Sequence, residues 1–280
     1  MERQRTHFRF VPLTPHPLLR PYVAKIWLFE SDGRLPDLEK KLIVPNANFK
    51  LAFSYRNGIV SRIGGATFVQ KEDELKLSGL IDSPLILDLY EYAPTGTIGV
   101  EFNPLGAYRF FRMRFRDMMN QIVGIGDLLG KRADELQSRL AEMNTVTDKF
   151  QLLQKFLLMQ LERTEADPIY DYCINRISDT HGALSVRQLE TETGYSSRWL
   201  NTKFADHLGT SPKNLSAIIR FKQFYKVFST GAKSQDLKDH IYGHYHDQSH
   251  FLRAFKRFTG STPTDLQNSL NELGTTAFIT

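Results

Sequence analysis

One stretch near the C-terminus decides the fold: residues 246–263 read HDQSHFLRAFKRFTGSTP. Phe251, Phe255 and Phe258 recur at helical spacing, which predicts a helix from about residue 247 to 259 with a buried aromatic face. The opposite face carries polar and basic side chains and one leucine, namely Gln248, Ser249, Leu252, Arg253 and Lys256. Such a helix fits the major groove of DNA, because Arg and Gln side chains make bidentate contacts to base edges.

A second helix pair with the same plan lies upstream, over residues 184–208. Ser185 is expected to cap a short helix that ends at Gly194, and Ser196 is expected to cap the next helix. That second helix has an inner stripe and a polar outer face, and the stripe is Leu200, Phe204 and Leu208. A long helix between the two units carries Ile218, Ile219, Phe221, Phe224, Tyr225 and Phe228, so each unit has the plan of a helix-turn-helix.

Residues 246–263 resemble the signature of the AraC/XylS family of transcription regulators. The first unit resembles it more loosely, through Gly194-Tyr195-Ser196, Leu200, Phe204, Leu208-Gly209 and Ser211-Pro212. The resemblance covers about residues 170–270 and implies two helix-turn-helix units whose recognition helices enter successive major grooves. It implies that the residues contacting DNA are Ser197, Arg198, Asn201 and Thr202 in the first unit, and Gln248, Ser249, Leu252, Arg253 and Lys256 in the second.

Three positions depart from the family pattern. Glu190 and Lys203 are charged where the family has a small and an apolar residue, so we expect them to face each other and pair. The turn glycine of the second unit is replaced by His244, with Gly243 one place earlier.

The N-terminal half reads as mixed and mostly β. Short apolar runs at residues 50–55 and 98–102 predict strands, and Gly, Pro and Asn clusters separate such runs. Residues 18–23, Trp27, residues 44–46, Leu51 and residues 102–108 resemble the N-terminal domain of one bacterial subgroup of these regulators. That resemblance implies a β-rich, barrel-like sensor domain. From Leu105 onward the pattern is helical throughout.

Residues 166–168, Ala-Asp-Pro, are the best linker candidate, since Asp caps helices and Pro suits a first helical turn. We therefore expect a sensor domain over residues 1–165 and a DNA-binding domain over residues 166–280. The predicted fold is an α+β N-terminal domain with helices at its end, followed by an all-α domain of two helix-turn-helix units.

Composition excludes several other classes of protein. The chain has 280 residues, of which 41% are hydrophobic and 24% charged, so general disorder is excluded. Its only cysteine, Cys173, excludes an internal disulfide, and the absence of a long apolar run predicts a cytoplasmic protein without a membrane partner. The formal net charge is +5. Between residues 196 and 226 six basic residues accompany a single acidic one, Asp206, which favours nucleic acid as a partner.

Two motifs allow more than one interpretation. The histidines His240, His244, His246 and His250 form two HxxxH pairs, but the turn at residues 243–244 separates them, so phosphate contact or helix capping is favoured over a metal site. Residues 109–116 alternate arginine with phenylalanine. They fit a solvated edge around a helix end, a site for an anionic effector, or a contact to the DNA-binding domain.

The sequence offers no phosphate-binding loop or catalytic motif, so we expect no enzyme activity, cofactor or metal. The main alternative is a small-molecule-binding or enzymatic N-terminal domain fused to a helical interaction module. Expected partners are double-stranded DNA, a small-molecule effector of unknown identity, RNA polymerase, and a second copy of the chain. Phe156, Leu158 and Met159 lie off the main apolar stripe of the helix over residues 148–161. They fit either a helix sunk in its own domain or a homodimer interface.

Overall fold

The computed structural model describes residues 8–35, 42–229 and 248–268. The strands are β1 Phe8–Leu13, β2 Val23–Ser31, β3 Leu42–Ile43, β4 Phe49–Arg56, β5 Ile59–Ile63, β6 Ala66–Gln70, β7 Leu75–Ser78, β8 Leu85–Leu89, β9 Thr95–Phe102 and β10 Ile122–Gly124. The helices are α1 Ala107–Phe110, α2 Ile125–Leu129, α3 Lys131–Glu142, α4 Val146–Glu162, α5 Pro168–Asp179, α6 Val186–Thr193, α7 Ser197–Leu208, α8 Pro212–Ser229, α9 Gln248–Thr259 and α10 Pro263–Asn268.

The strands form two antiparallel sheets. The first has the order β1-β2-β9-β4-β7-β10 and the second the order β3-β8-β5-β6. β9 lies in the middle of the first sheet, and all its residues are buried. The expected barrel-like closure is not found. In the described residues no strand pairing joins the two sheets, which instead enclose a cavity between them.

The predicted runs at residues 50–55 and 98–102 lie in β4 and β9, but the prediction for the segment after Leu105 is wrong. The chain does not remain helical after Leu105, because β10 intervenes and pairs with β7 through Ile122 and Ser78. The run is too short to carry a periodic signal of its own, and its strand conformation depends on the partner strand.

Helix α3 packs on β4 of the first sheet, and α4 packs on α1 and α3. Leu136 and Leu140 of α3 are buried, as are Leu153 and Leu157 of α4. Phe156 is also buried within the chain, at 6% exposure, whereas Leu158 is half-buried and Met159 is 41% exposed. Only Leu158 and Met159 therefore remain of the apolar surface that suggested a homodimer.

The C-terminal region is helical. Asp167 accepts a hydrogen bond from Tyr170 N and Pro168 occupies the first turn of α5, as predicted. Cys173 is fully buried, and burial raises the pKa of its thiol to about 11, as suits a small core residue. None of the helices in the described ranges has the length and apolarity needed to cross a membrane. A β-rich N-terminal domain followed by a helical region confirms the predicted fold class.

Candidate nucleic-acid interface

Three local caps shape the first helix pair, α6 and α7. Ser185 accepts a hydrogen bond from Gln188 N, and Ser185 N donates to Gln188 Oε1 at 2.9 Å, so α6 begins with a capping box. Gly194 ends α6 at φ 74°, a left-handed conformation that costs glycine little. Ser196 then caps α7 by accepting from Trp199 N. The three predicted caps are confirmed.

Helix α7 buries one face and exposes the other. Leu200, Phe204 and Leu208 are each 0% exposed. Arg198, Asn201 and Thr202 are exposed, and Ser197 is half-buried at the start of the helix. The side chains predicted to read bases in the first unit are thus accessible to a partner.

The expected pairing of Glu190 with Lys203 is wrong. Glu190 Oε1 accepts a hydrogen bond from Ser197 N, one of the backbone donors that the start of a helix leaves without an intrahelical partner. Lys203 Nζ instead donates to Asp167 Oδ2 at 2.5 Å and lies 5.1 Å from the centroid of the Trp199 ring. Each unusual charge therefore stabilises a helix end.

Helix α9 is fixed to α8 by aromatic packing. Phe251 and Phe224 have ring centroids 4.6 Å apart, and Phe258 and Phe221 are 4.9 Å apart. The opposite face exposes the predicted residues Ser249, Leu252, Arg253 and Lys256. The side chain of Gln248 lies outside the described part, as do residues 230–247 with the turn at Gly243 and His244.

The one acidic residue in the basic segment 196–226 is neutralised by the N-terminal domain. Arg116 Nη2 donates to Asp206 Oδ2 at 3.2 Å, and Arg116 Nε donates to Asp206 Oδ1. The hydrogen bond and charge of Arg116 lower the pKa of Asp206. Residues 109–116 therefore contact the helical region, while Phe110, Phe111 and Phe115 are core residues at 0% exposure. The sequence shows that Asp206 is the single acidic residue of this segment, but it does not indicate that Arg116 is its partner.

The predicted histidine pairs are only partly visible. His240, His244 and His246 lie outside the described residues, and His250 is half-buried on α9. Across residues 8–35, 42–229 and 248–268 there is no group of three or more side chains arranged to hold a metal ion.

A second candidate site is the cavity between the two sheets. The cavity has a volume of about 90 Å³, and its walls are mostly apolar. Gly99 pairs with Trp27 on one neighbouring strand and with Ala52 on the other. The Trp27 ring lies over Gly99, where a Cβ would be only 2.2 Å from the ring, so a residue without a side chain is needed at this position. The buried Trp27 Nε1 has no hydrogen-bond partner among the described residues. An acceptor on a bound molecule would satisfy this donor.

One end of the cavity is charged. Glu101, 4% exposed, stands between Lys25 and Lys50 on the neighbouring strands, and accepts hydrogen bonds from Asn46 at 2.9 Å and Asn48 at 3.0 Å. Burial raises the pKa of Glu101, but Lys50, Lys25 and the two amides outweigh burial and lower it. Burial lowers the pKa of Lys50. Two lysines and one carboxylate therefore lie at this end of the cavity, so basic side chains outnumber acidic ones there.

In the described residues, α6 and α7 form a complete helix pair with the plan of a helix-turn-helix, and α9 exposes a polar face of the same kind. Residues 189–269 match a family described as "Helix-turn-helix domain", and residues 12–124 match a domain of unknown function (DUF6597). The chain therefore carries an AraC-type helix-turn-helix domain behind a β-rich N-terminal domain, and is a DNA-binding regulator of transcription.

Solved structures that match this chain include ToxT from Vibrio cholerae. Wild-type ToxT with bound unsaturated fatty acid, from strain SCE256, has 12% identity, a TM-score of 0.48, and coverage of 92% of this chain and 98% of that chain. ToxT from strain O395 has 11% identity, a TM-score of 0.43, and coverage of 95% and 99%. The Schizosaccharomyces pombe Cnp3 cupin domain has 12% identity, a TM-score of 0.27, and coverage of 35% and 66%. Comparison with curated proteins gives no match.

Proposed function

We propose that the chain is an effector-responsive transcription regulator that reads double-stranded DNA with α7 and α9. The observation that carries the proposal is the pair of exposed faces on these two helices, each backed by a buried apolar stripe. Arg198 and Asn201 on α7, and Arg253 on α9, have the side-chain types that make bidentate contacts to guanine and adenine. Lysines and hydroxyl groups beside them supply phosphate contacts, which give affinity without sequence preference.

In this proposal the two functions, sensing an effector and binding DNA, belong to successive domains of the chain. Residues 1–165 form a sensor domain and residues 166–280 a DNA-binding domain, a boundary supported by the start of α5 at Pro168. RNA polymerase and a second copy of the chain belong to the proposal as partners. A homodimer would use Leu158 and Met159 on α4, a surface far smaller than the roughly 800 Å² per partner of a stable interface.

The first experiment is selection of bound fragments from genomic DNA by the full chain, followed by titration of the best fragment and of a scrambled duplex at several salt concentrations. A regulator binds the selected fragment more tightly than the scrambled one, and both affinities fall with salt. No salt-dependent binding to either duplex would overturn the proposal and favour a helical interaction module attached to a small-molecule-binding or enzymatic domain.

We further propose that the effector binds in the cavity between the sheets. Apolar walls, the two lysines at one end and the Trp27 indole donor favour a small molecule with an apolar body and an anionic head group. Hexanoate is a suitable probe and hexanol its uncharged match. The proposal predicts that hexanoate raises the melting temperature more than hexanol, and that Lys50→Met removes the difference. Lys155→Met, on the exposed face of α4, is the matched control. Equal effects of acid and alcohol would overturn the anionic class.

A further inference from the structure

One carboxylate of the N-terminal domain contacts the helical region beside α9. Asp82, in the loop between β7 and β8, accepts a hydrogen bond at Oδ2 from Asn214 Nδ2 at 3.1 Å and another from Arg257 Nη2. Arg257 Nη2 also donates to Asn214 Oδ1 at 2.9 Å. These three side chains form a closed triangle between the two domains.

Asp82 is held in this position by its own domain. Asp82 N donates to Asn120 Oδ1 at 2.9 Å, and Asn120 Nδ2 donates to Asp82 Oδ1 at 2.7 Å. Burial raises the pKa of Asp82, but the hydrogen bonds from Asn120 and Asn214 and the charge of Arg257 outweigh burial and lower it. The N-terminal domain thus presents a fixed, ionised carboxylate to α9.

Arg257 lies at the edge of the proposed reading face. It follows Arg253 by four residues on α9 and is exposed, and it borders a groove of about 390 Å³ between α8 and α9. Lys213 and Asn214, in the first turn of α8, line the opposite side of this groove. Arginine, lysine and asparagine side chains are among the groups that contact DNA phosphates and position a protein on the duplex.

We infer that Arg257 and Asn214 form a binding site for a backbone phosphate of DNA, and that Asp82 occupies this site as an internal substitute for the phosphate. The inference rests on the proposed DNA-binding function and adds a competition to it. An arginine and an amide that bind a carboxylate oxygen offer the same donors to a phosphate oxygen. The two anions cannot share the site, because the like charges repel at contact distance. Docking of the N-terminal domain and full engagement of DNA by α9 therefore exclude each other at this position.

The test compares DNA binding by full-length variants on a scrambled duplex across a salt series. Asp82→Asn removes the competing charge, so we expect about five- to tenfold tighter binding and a salt slope steeper by about 0.9, the value for one added phosphate contact. Asn120→Ala, which removes the positioning of Asp82 but not its charge, should shift binding in the same direction by less. Adding Arg257→Ala to Asp82→Asn should abolish the gain.

Glu135→Gln, at an exposed position of α3, is the control because it makes the same change in net charge away from the interface. Thermal unfolding of each variant separates altered binding from misfolding. The inference is overturned if Asp82→Asn binds no tighter than Glu135→Gln, or if the gain survives Arg257→Ala. If the wild type binds DNA and these variants are silent, only the competition fails. If neither the wild type nor Asp82→Asn binds, the proposed function fails with it.

Discussion

Asp167 joins the start of α5 to the middle of α7. Its side chain accepts from Tyr170 N at 3.1 Å, and its Oδ2 atom contacts Lys203 Nζ at 2.5 Å and His207 Nε2 at 3.0 Å. The His207 ring packs against the rings of Tyr108 and Tyr170, with a centroid distance of 4.8 Å to each. Burial lowers the pKa of His207, although the charge on Asp167 acts in the opposite direction.

The lowered pKa of His207 predicts a pH dependence of stability. The unfolded chain binds a proton on this histidine at higher pH than the folded chain does, so the folded state loses stability as the pH falls from about 6.5 through the lowered folded value. We expect His207→Gln to lose less stability than the wild type between neutral pH and the mildly acidic range. Urea unfolding at a series of pH values measures this, with His181→Gln, at an exposed position, as control. Parallel curves for wild type and His207→Gln would contradict the prediction.

Arg253 carries the prediction about base reading. It is exposed one turn after Ser249 on α9, so Arg253→Ala should weaken binding to the selected fragment by about 1–3 kcal/mol and relax the preference at one base pair. Repeating the selection with the variant measures both effects. Arg187→Ala, exposed on α6, is the control. An equal loss on the selected and scrambled duplexes would mean that Arg253 contacts phosphate alone.

At the scale of elements, one buried lysine ties α4 to the end of α3. Lys149 is 5% exposed and its Nζ atom donates to the carbonyl of Met143 at 2.7 Å and to that of Leu140. It also lies 5.3 Å from the centroid of the Phe53 ring in β4. The last carbonyls of a helix have no intrahelical partner and carry partial negative charge, so an ammonium group stabilises them.

Lys149→Met keeps the apolar stem of this side chain but removes the donor. We expect a loss of about 1.5–3 kcal/mol in the free energy of unfolding, because charged hydrogen bonds to two carbonyls at the end of α3 disappear. Denaturant unfolding measures the change, with Lys155→Met as the exposed control on the same helix. Equal unfolding midpoints for the two variants would contradict the role assigned to Lys149.

Local features of this chain were predictable from its sequence, and long-range ones were not. The caps at Ser185, Gly194 and Ser196 and the stripe of α7 follow from neighbouring residues, so the pattern reveals them. The strand β10 and the partner of Lys203 depend on residues far away in the chain, and no local pattern encodes such contacts. The exposed faces of α7 and α9 follow from helical periodicity. The triangle of Asp82, Asn214 and Arg257 requires the packing of both domains.

At the scale of the whole molecule, the N-terminal domain also docks on the end of α7. Phe115 N donates to the Asp206 carbonyl at 2.9 Å, beside the ion pair of Arg116 with the Asp206 side chain. Gly209 lies against this segment, where a Cβ would stand 2.4 Å from the Phe115 carbonyl oxygen. Together with the contact between Asp82 and Arg257 of α9, these contacts link the N-terminal domain to both α7 and α9.

Exchanging the charges of Arg116 and Asp206 tests this docking. Arg116→Asp alone places two carboxylates together, so we expect faster hydrogen exchange in residues 115–118 and a larger radius of gyration. Adding Asp206→Arg should restore much of both, since the pair then has opposite charges again. A single variant with the wild-type exchange pattern would mean that the ion pair does not hold the domains together.

The loop that carries Asp82 has a mechanical consequence. It leaves β7 in the first sheet and enters β8 in the second, so it crosses the seam between the two layers. The loop therefore connects the two sheets, and its residue Asp82 accepts a hydrogen bond from Arg257 near the C-terminal end of α9. We expect that a change in the spacing of the two sheets would displace Asp82 from Arg257, since the loop is attached to both sheets.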